Sequence, residues 1–168
     1  MAYTDHYNIT DDIITHLNTV VPGITDPFLT SRYTGLVAIS AVTVYELAIK
    51  EIFIDFAQKK HNVFGTFTEG HFNRINGRIK NKDIKDDYIK KFGEKYLRRY
   101  TRKLNEVETR ILTVQRVSLK NSYANLLNWR NEFAHGGNMP THATFNEVVS
   151  SYQLGKELIK CIAESMQR

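Results

Sequence analysis

Only one cysteine and three prolines occur in 168 residues. Cys161 alone cannot close an intrachain disulfide, so no covalent staple is available and a reducing cytosol fits. Pro22, Pro27 and Pro140 lie outside the strongest helical patterns. So few breakers leave long uninterrupted segments, which points to an α protein. No apolar run is long enough to span a bilayer. The richest, Leu36 to Ile54, is broken by Ser40, Glu46, Lys50 and Glu51. The N-terminus has no basic flank followed by an apolar core, so no signal peptide is expected. Internal repeats and low-complexity segments are also missing. Together these absences predict a cytoplasmic protein with no membrane partner.

What is present suits a globular chain. A hydrophobic fraction of 42% supplies a core, and a charged fraction of 24% is ordinary. The length predicts one domain over 1–168. The net charge of +5 favours polyanionic partners and says nothing about fold. The excess is local: Arg78 to Lys103 holds eleven Lys or Arg and four acidic residues. Lys95, Arg98, Arg99 and Arg102 in that stretch are candidate RNA contacts, because clustered cations on one helix are an electrostatic footprint for phosphates. A merely solvated basic face is the alternative.

Apolar periodicity predicts four main helices, about 30–60, 83–114, 118–135 and 145–166. The second carries Phe92, Tyr96, Tyr100, Leu104, Val107 and Ile111 as its inner stripe, with an interruption at Gly93. Thr144 and Glu147 form a capping box before the fourth. Short helices are expected near 12–20 and 70–79. The connections are short, so the fold class is all-α, an antiparallel bundle of four main helices with short additional helices. His61, Glu69 and His71 match no metal-ligand spacing, and no metal or cofactor is expected.

The most informative run is Trp129-Arg130-Asn131-Glu132-Phe133-Ala134-His135-Gly136-Gly137. Asn131 and His135 are four apart and share a face; Arg130 and His135 differ by about 140° on an ideal helix. Gly136-Gly137 predicts a helix end at His135, which would let the arginine and histidine heads approach one phosphate. Arginine offers a fork of donors suited to phosphate, and histidine exchanges a proton near neutrality. Arg130 also emerges from the apolar stripe of Tyr123, Leu126 and Leu127, so it should find a partner or line a groove. The structural alternative is that both residues offset the negative end of their helix.

At these residues the chain resembles the HEPN superfamily of all-helical ribonucleases. The matching signature is an arginine, a polar residue, and a histidine after four intervening positions: Arg130, Asn131 and His135. The context Arg-Asn-Glu-Phe-Ala-His-Gly is similar to the RiboL-PSP type. The resemblance implies a metal-independent endoribonuclease in which the RNA 2′-hydroxyl attacks the adjacent phosphorus. His135 would move the proton, Arg130 would hold the phosphate, and Asn131 would orient His135 or contact the phosphate. Glu46, an acidic residue inside the apolar run of the first long helix, would position Arg130; pairing with Lys50 at i+4 is its bland alternative. The resemblance further implies a homodimer with two facing motifs, RNA as partner, and a role as a toxin or defence effector with an antitoxin. A non-catalytic RNA-binding, nucleotide-binding or dimerisation module of the same type is the second reading, and an unrelated helical scaffold the third.

Overall fold

The computed structural model describes residues 2–140 and 142–167. Among them the regular elements are helices only. A 3-10 turn, Tyr3–His6, leads into α1, Tyr7–Val20, which starts earlier than the spacing predicts because Tyr7 and Thr10 also turn inward. α2 spans Pro27–Gln58; Asp26 caps it by accepting from the Phe28 N–H at 2.8 Å, and Pro27 takes the position where a missing N–H costs nothing. At 32 residues it is about 48 Å long and forms the spine of the molecule. No helix among the described residues is long and apolar enough to cross a membrane.

α3, Asn62–Phe72, departs from the expected layout. Its start reads as a turn in the sequence, but His61 caps it through Nδ1 to the Val63 N–H at 3.2 Å. Gly65 lets it fold back on Gln58 of α2. The short helix expected over 70–79 is consequently the end of α3 plus an irregular loop, 73–80. The next segment is composite: α4, Asn81–Asp83, a π turn, Ile84–Ile89, and α5, Lys90–Phe92. Gly93, at φ 126°, breaks it as anticipated, and α6 follows over Glu94–Gln115. α7 is Leu119–Gly136 and α8 is Phe145–Met166, the latter with the Thr144–Glu147 capping box in place.

The pairings fix the directions. Phe133 of α7 lies on Gly35 of α2 and Tyr123 stacks on Tyr45, so α7 opposes α2. Tyr45 meets Tyr152 and Gly155, while the end of α2 shares a recess with Ala163 and Met166, so α8 runs with α2. Lys103–Glu164 at 2.9 Å and Arg110–Glu157 at 3.3 Å set α6 against α8. Thus α2 and α8 point one way, and α6 and α7 the other. The short 116–118 connection does not make a hairpin. Arg116 turns left-handed at φ 59°, and Glu108 receives both the Ser118 hydroxyl at 2.6 Å and the Lys120 N–H at 3.0 Å. α7 therefore restarts beside residue 108.

One core joins these helices. At its centre Tyr45 stacks on Tyr123 and Tyr152 with centroids 5.8 and 5.6 Å away. Each hydroxyl reaches a backbone carbonyl: Tyr45 donates to Tyr152, Tyr123 to Ile79 and Tyr152 to Tyr7. Satisfied phenols make these bulky rings compatible with burial. Gly155 is required here, since a Cβ would overlap the Tyr45 hydroxyl.

Candidate functional site

α7 presents its inner face through Leu119, Ser122, Tyr123, Leu126, Leu127 and Trp129. Arg130 continues that face and is half-buried. Its guanidinium lies against the 73–80 loop at Gly77, where a Cβ would sit 3.1 Å from Nη2. Gly77 has φ 69°, so the position excludes a side chain on two grounds: backbone hand and the arginine above it.

The loop under Arg130 is pinned at three consecutive residues. The Gly77 N–H donates to Glu46 Oε2 at 2.7 Å. The Arg78 carbonyl accepts from the Tyr88 hydroxyl at 2.7 Å, and the Ile79 carbonyl accepts from the Tyr123 hydroxyl at 2.7 Å. Burial raises Tyr88 to about 12 and raises Tyr123 further, so both phenols stay protonated donors at neutral pH. Glu46 spends its other oxygen on Lys50, 2.7 Å away at i+4. Glu46 thus pairs with Lys50 at i+4, and its contact on the loop under Arg130 is the Gly77 N–H.

His135 is in a different setting. It stays within the last turn of α7, because the left-handed residue is Gly137, φ 70°, and the helix runs to Gly136. The imidazole is on an exposed residue, and α-helical geometry keeps its direction about 140° from that of Arg130. Asn131 is half-buried and lies on the His135 side of the helix. Neither Arg130 nor His135 lines the large groove bordered by α6, α7 and α8, which is walled instead by Trp129, His142 and Leu154. Trp129 itself is buried, in line with packing rather than base stacking.

Arg32 is the neighbour that sequence reasoning missed. From α2 it donates through Nη1 to the Gly137 carbonyl, with its guanidinium 4.6 Å from the Phe28 ring centroid and 5.9 Å from that of Phe133. The carbonyl end of α7 thus already has a cation. The only hint in the sequence was Phe28 four residues before Arg32 on one helix face.

The α6 cations divide. Arg99 donates to the Gln167 carbonyl at 3.1 Å and lies 6.0 Å from the Tyr96 ring centroid; Arg102 pairs with Glu106 at 3.7 Å. Lys95 and Arg98 are exposed. Among the described residues no group of three or more His, Cys, Asp or Glu is placed to hold a metal.

No curated protein and no solved structure matches this chain. The family model described as RiboL-PSP-HEPN matches residues 4–168, which takes in the Arg130–His135 run, the Glu46 helix and the capped last helix together. An all-helical chain matched over nearly its whole length, with this motif at the end of α7, belongs to the RiboL-PSP-HEPN family.

Proposed function

We propose that the protein is a metal-independent endoribonuclease whose site is completed by a second copy of the chain. The observation that carries this reading is the contrast within α7. Arg130 is held over a pinned loop, while His135 stands exposed at a helix end whose negative pole Arg32 already covers. With Arg32 already on the Gly137 carbonyl, a second cation there adds little to offsetting the dipole. In the proposed reaction the RNA 2′-hydroxyl loses its proton to one His135 imidazole and attacks phosphorus. The 5′-oxygen leaves with a proton from a second imidazole, giving a 2′,3′-cyclic phosphate. Arg130 neutralises the charge that builds on the phosphoryl oxygens, and Asn131 orients His135 or the phosphate. One chain holds one Arg–His pair, and these point apart, so two facing copies supply both acid and base.

Phe28 and Leu29 support such pairing. They are 55% and 45% exposed at the start of α2, where Arg32 links Phe28 to the Gly137 carbonyl. An apolar collar beside the histidine is what an interface between copies would cover. An unregulated ribonuclease of this kind would act as a toxin or defence effector, and an antitoxin would mask the same face.

The test is cleavage in EDTA by the parent and by Arg130→Ala and His135→Ala, each shown to be folded. Loss of about 10²-fold or more in both, with 2′,3′-cyclic phosphate ends from the parent, is the expected result. Equal cleavage by variants and parent would remove the assignment. The second reading, a non-catalytic RNA-binding or dimerisation module, draws on the absence of Arg130 and His135 from the α6–α8 groove. It predicts RNA binding without product.

A further inference from the structure

The loop that supports Arg130 on one side borders a second feature on the other. Between α3 and the π turn lies a cleft of about 580 Å³, within the size range of roughly 300–1,000 Å³ that small-ligand pockets occupy. Arg74, Arg78 and Lys91 line it, with Tyr88 and Ile75 also in its wall. Phe67 stands at its edge and is 74% exposed, although α3 has a buried side that takes Thr68 and Phe72. An adjoining recess of about 240 Å³ shares Phe67, Asp87, Tyr88 and Lys91 with the cleft and is lined also by Phe64, Phe72 and Phe92. A large exposed ring set in a cleft lined by three cations and one carboxylate, Asp87, is a poor way to build a solvent face.

We propose that this cleft is the landing site for single-stranded RNA: unpaired bases stack on Phe67, and phosphates meet Arg74, Arg78 and Lys91 before the strand reaches Arg130. Stacking on an aromatic ring requires a base free of its partner, whereas cations alone accept a duplex equally well. Arg78 is suited to exchange partners. Its backbone is fixed by the Tyr88 hydroxyl, while its head makes an exposed 3.3 Å pair with Asp87, which a phosphate can replace at small cost. Arg78 follows Gly77 directly, and Gly77 touches Arg130, so a strand leaving the cleft along the loop arrives at the candidate catalytic arginine. This placement differs from the α6 helix face, where Arg99 and Arg102 are engaged within the chain.

The destination of the strand rests on the nuclease reading; its binding does not. The measurement is fluorescence anisotropy with a 2′-O-methylated oligouridine, which cannot be cut by 2′-hydroxyl attack, and with its methylated duplex. The parent should favour the single strand. Phe67→Ala should weaken that binding about tenfold, and the ring is exposed enough that its loss leaves the fold intact. Arg74→Gln with Arg78→Gln should lower the slope of log affinity against log salt by about 1.4, at about 0.7 for each phosphate released. Lys160→Gln, an exposed cation on α8, should leave both quantities unchanged. If Phe67→Ala binds as the parent does, or the loss follows Lys160→Gln alone, the cleft is not the RNA site. If the cleft variants lose binding while the parent cleaves nothing, the cleft stands and the nuclease falls. If cleavage depends on Arg130 and His135 while the cleft variants bind and cleave normally, the nuclease stands and the cleft falls.

Discussion

Arg130 and His135 sit five residues apart in one helix and experience opposite surroundings. Arg130 is half-buried over a loop tied to α2, to the π turn and to α7 itself. His135 is exposed in a terminal turn, and the Gly137 carbonyl beyond it accepts from Arg32 of α2. The arginine's geometry is thus set by the chain's own fold, at a cost to any residue that disturbs the loop. The histidine is exposed, so it can be altered without disturbing the core. The difference predicts how each half responds to perturbation.

The largest effect should come from alkali. Burial raises Tyr45 and Tyr100 well above their ordinary value near 10, raises Tyr123 and Tyr152 as well, and holds Tyr88 at about 12. The folded state therefore binds these protons more tightly than the unfolded chain. Their contribution is complete below about pH 10 and is lost as pH rises through the folded values. Tyrosinate absorbance and helical circular dichroism should change together above pH 10. Ionisation of the core tyrosines with helicity intact would contradict the burial described.

Gly77→Ala comes next. It forces a side chain into the left-handed region and against Arg130, and should cost about 1–3 kcal/mol in chemical denaturation. Cleavage should fall further than the stability loss accounts for, because the guanidinium must move. Retained cleavage would mean that Arg130's seat on the loop is irrelevant. Tyr123→Phe leaves the Ile79 carbonyl without its donor and should cost about 1–2 kcal/mol. The smallest effect should be His135→Ala, within about 0.5 kcal/mol of the parent in stability. A substantially larger loss there would restore a structural role to the histidine and erase the contrast.

The four long helices were legible because each carries several turns of apolar residues at helical spacing, with Asp26, Ser118 and Thr144 accepting at their N-termini. The motif and Glu46 were legible as residue types, and Glu46 accepts from the Gly77 N–H in the loop under Arg130. The 73–80 loop was not. Phe72, Ile75 and Ile79 are all buried and spaced as a helix would space them. Their burial comes instead from a loop held by Glu46, Tyr88 and Tyr123, partners distant in sequence. The Asn76-Gly77 turn signal was the local clue. Arg32 escaped for the same reason, since its carbonyl partner is 105 residues away. Leu36 and Leu47, in the most apolar run of the sequence, are exposed, because apolar residues surround α2 more widely than its packing partners do.

The π turn shows what a five-residue spacing means. Ile84 and Ile89 are both fully buried, as bonds from i to i+5 bring residues five apart into phase. α7 stays α-helical from Leu119 to Gly136, so Arg130 and His135, with the same spacing, are out of phase by about 140°. A widened turn inserted between them would bring the two heads closer to one face of α7. As built, α7 keeps one pole against its own chain and offers the other outward.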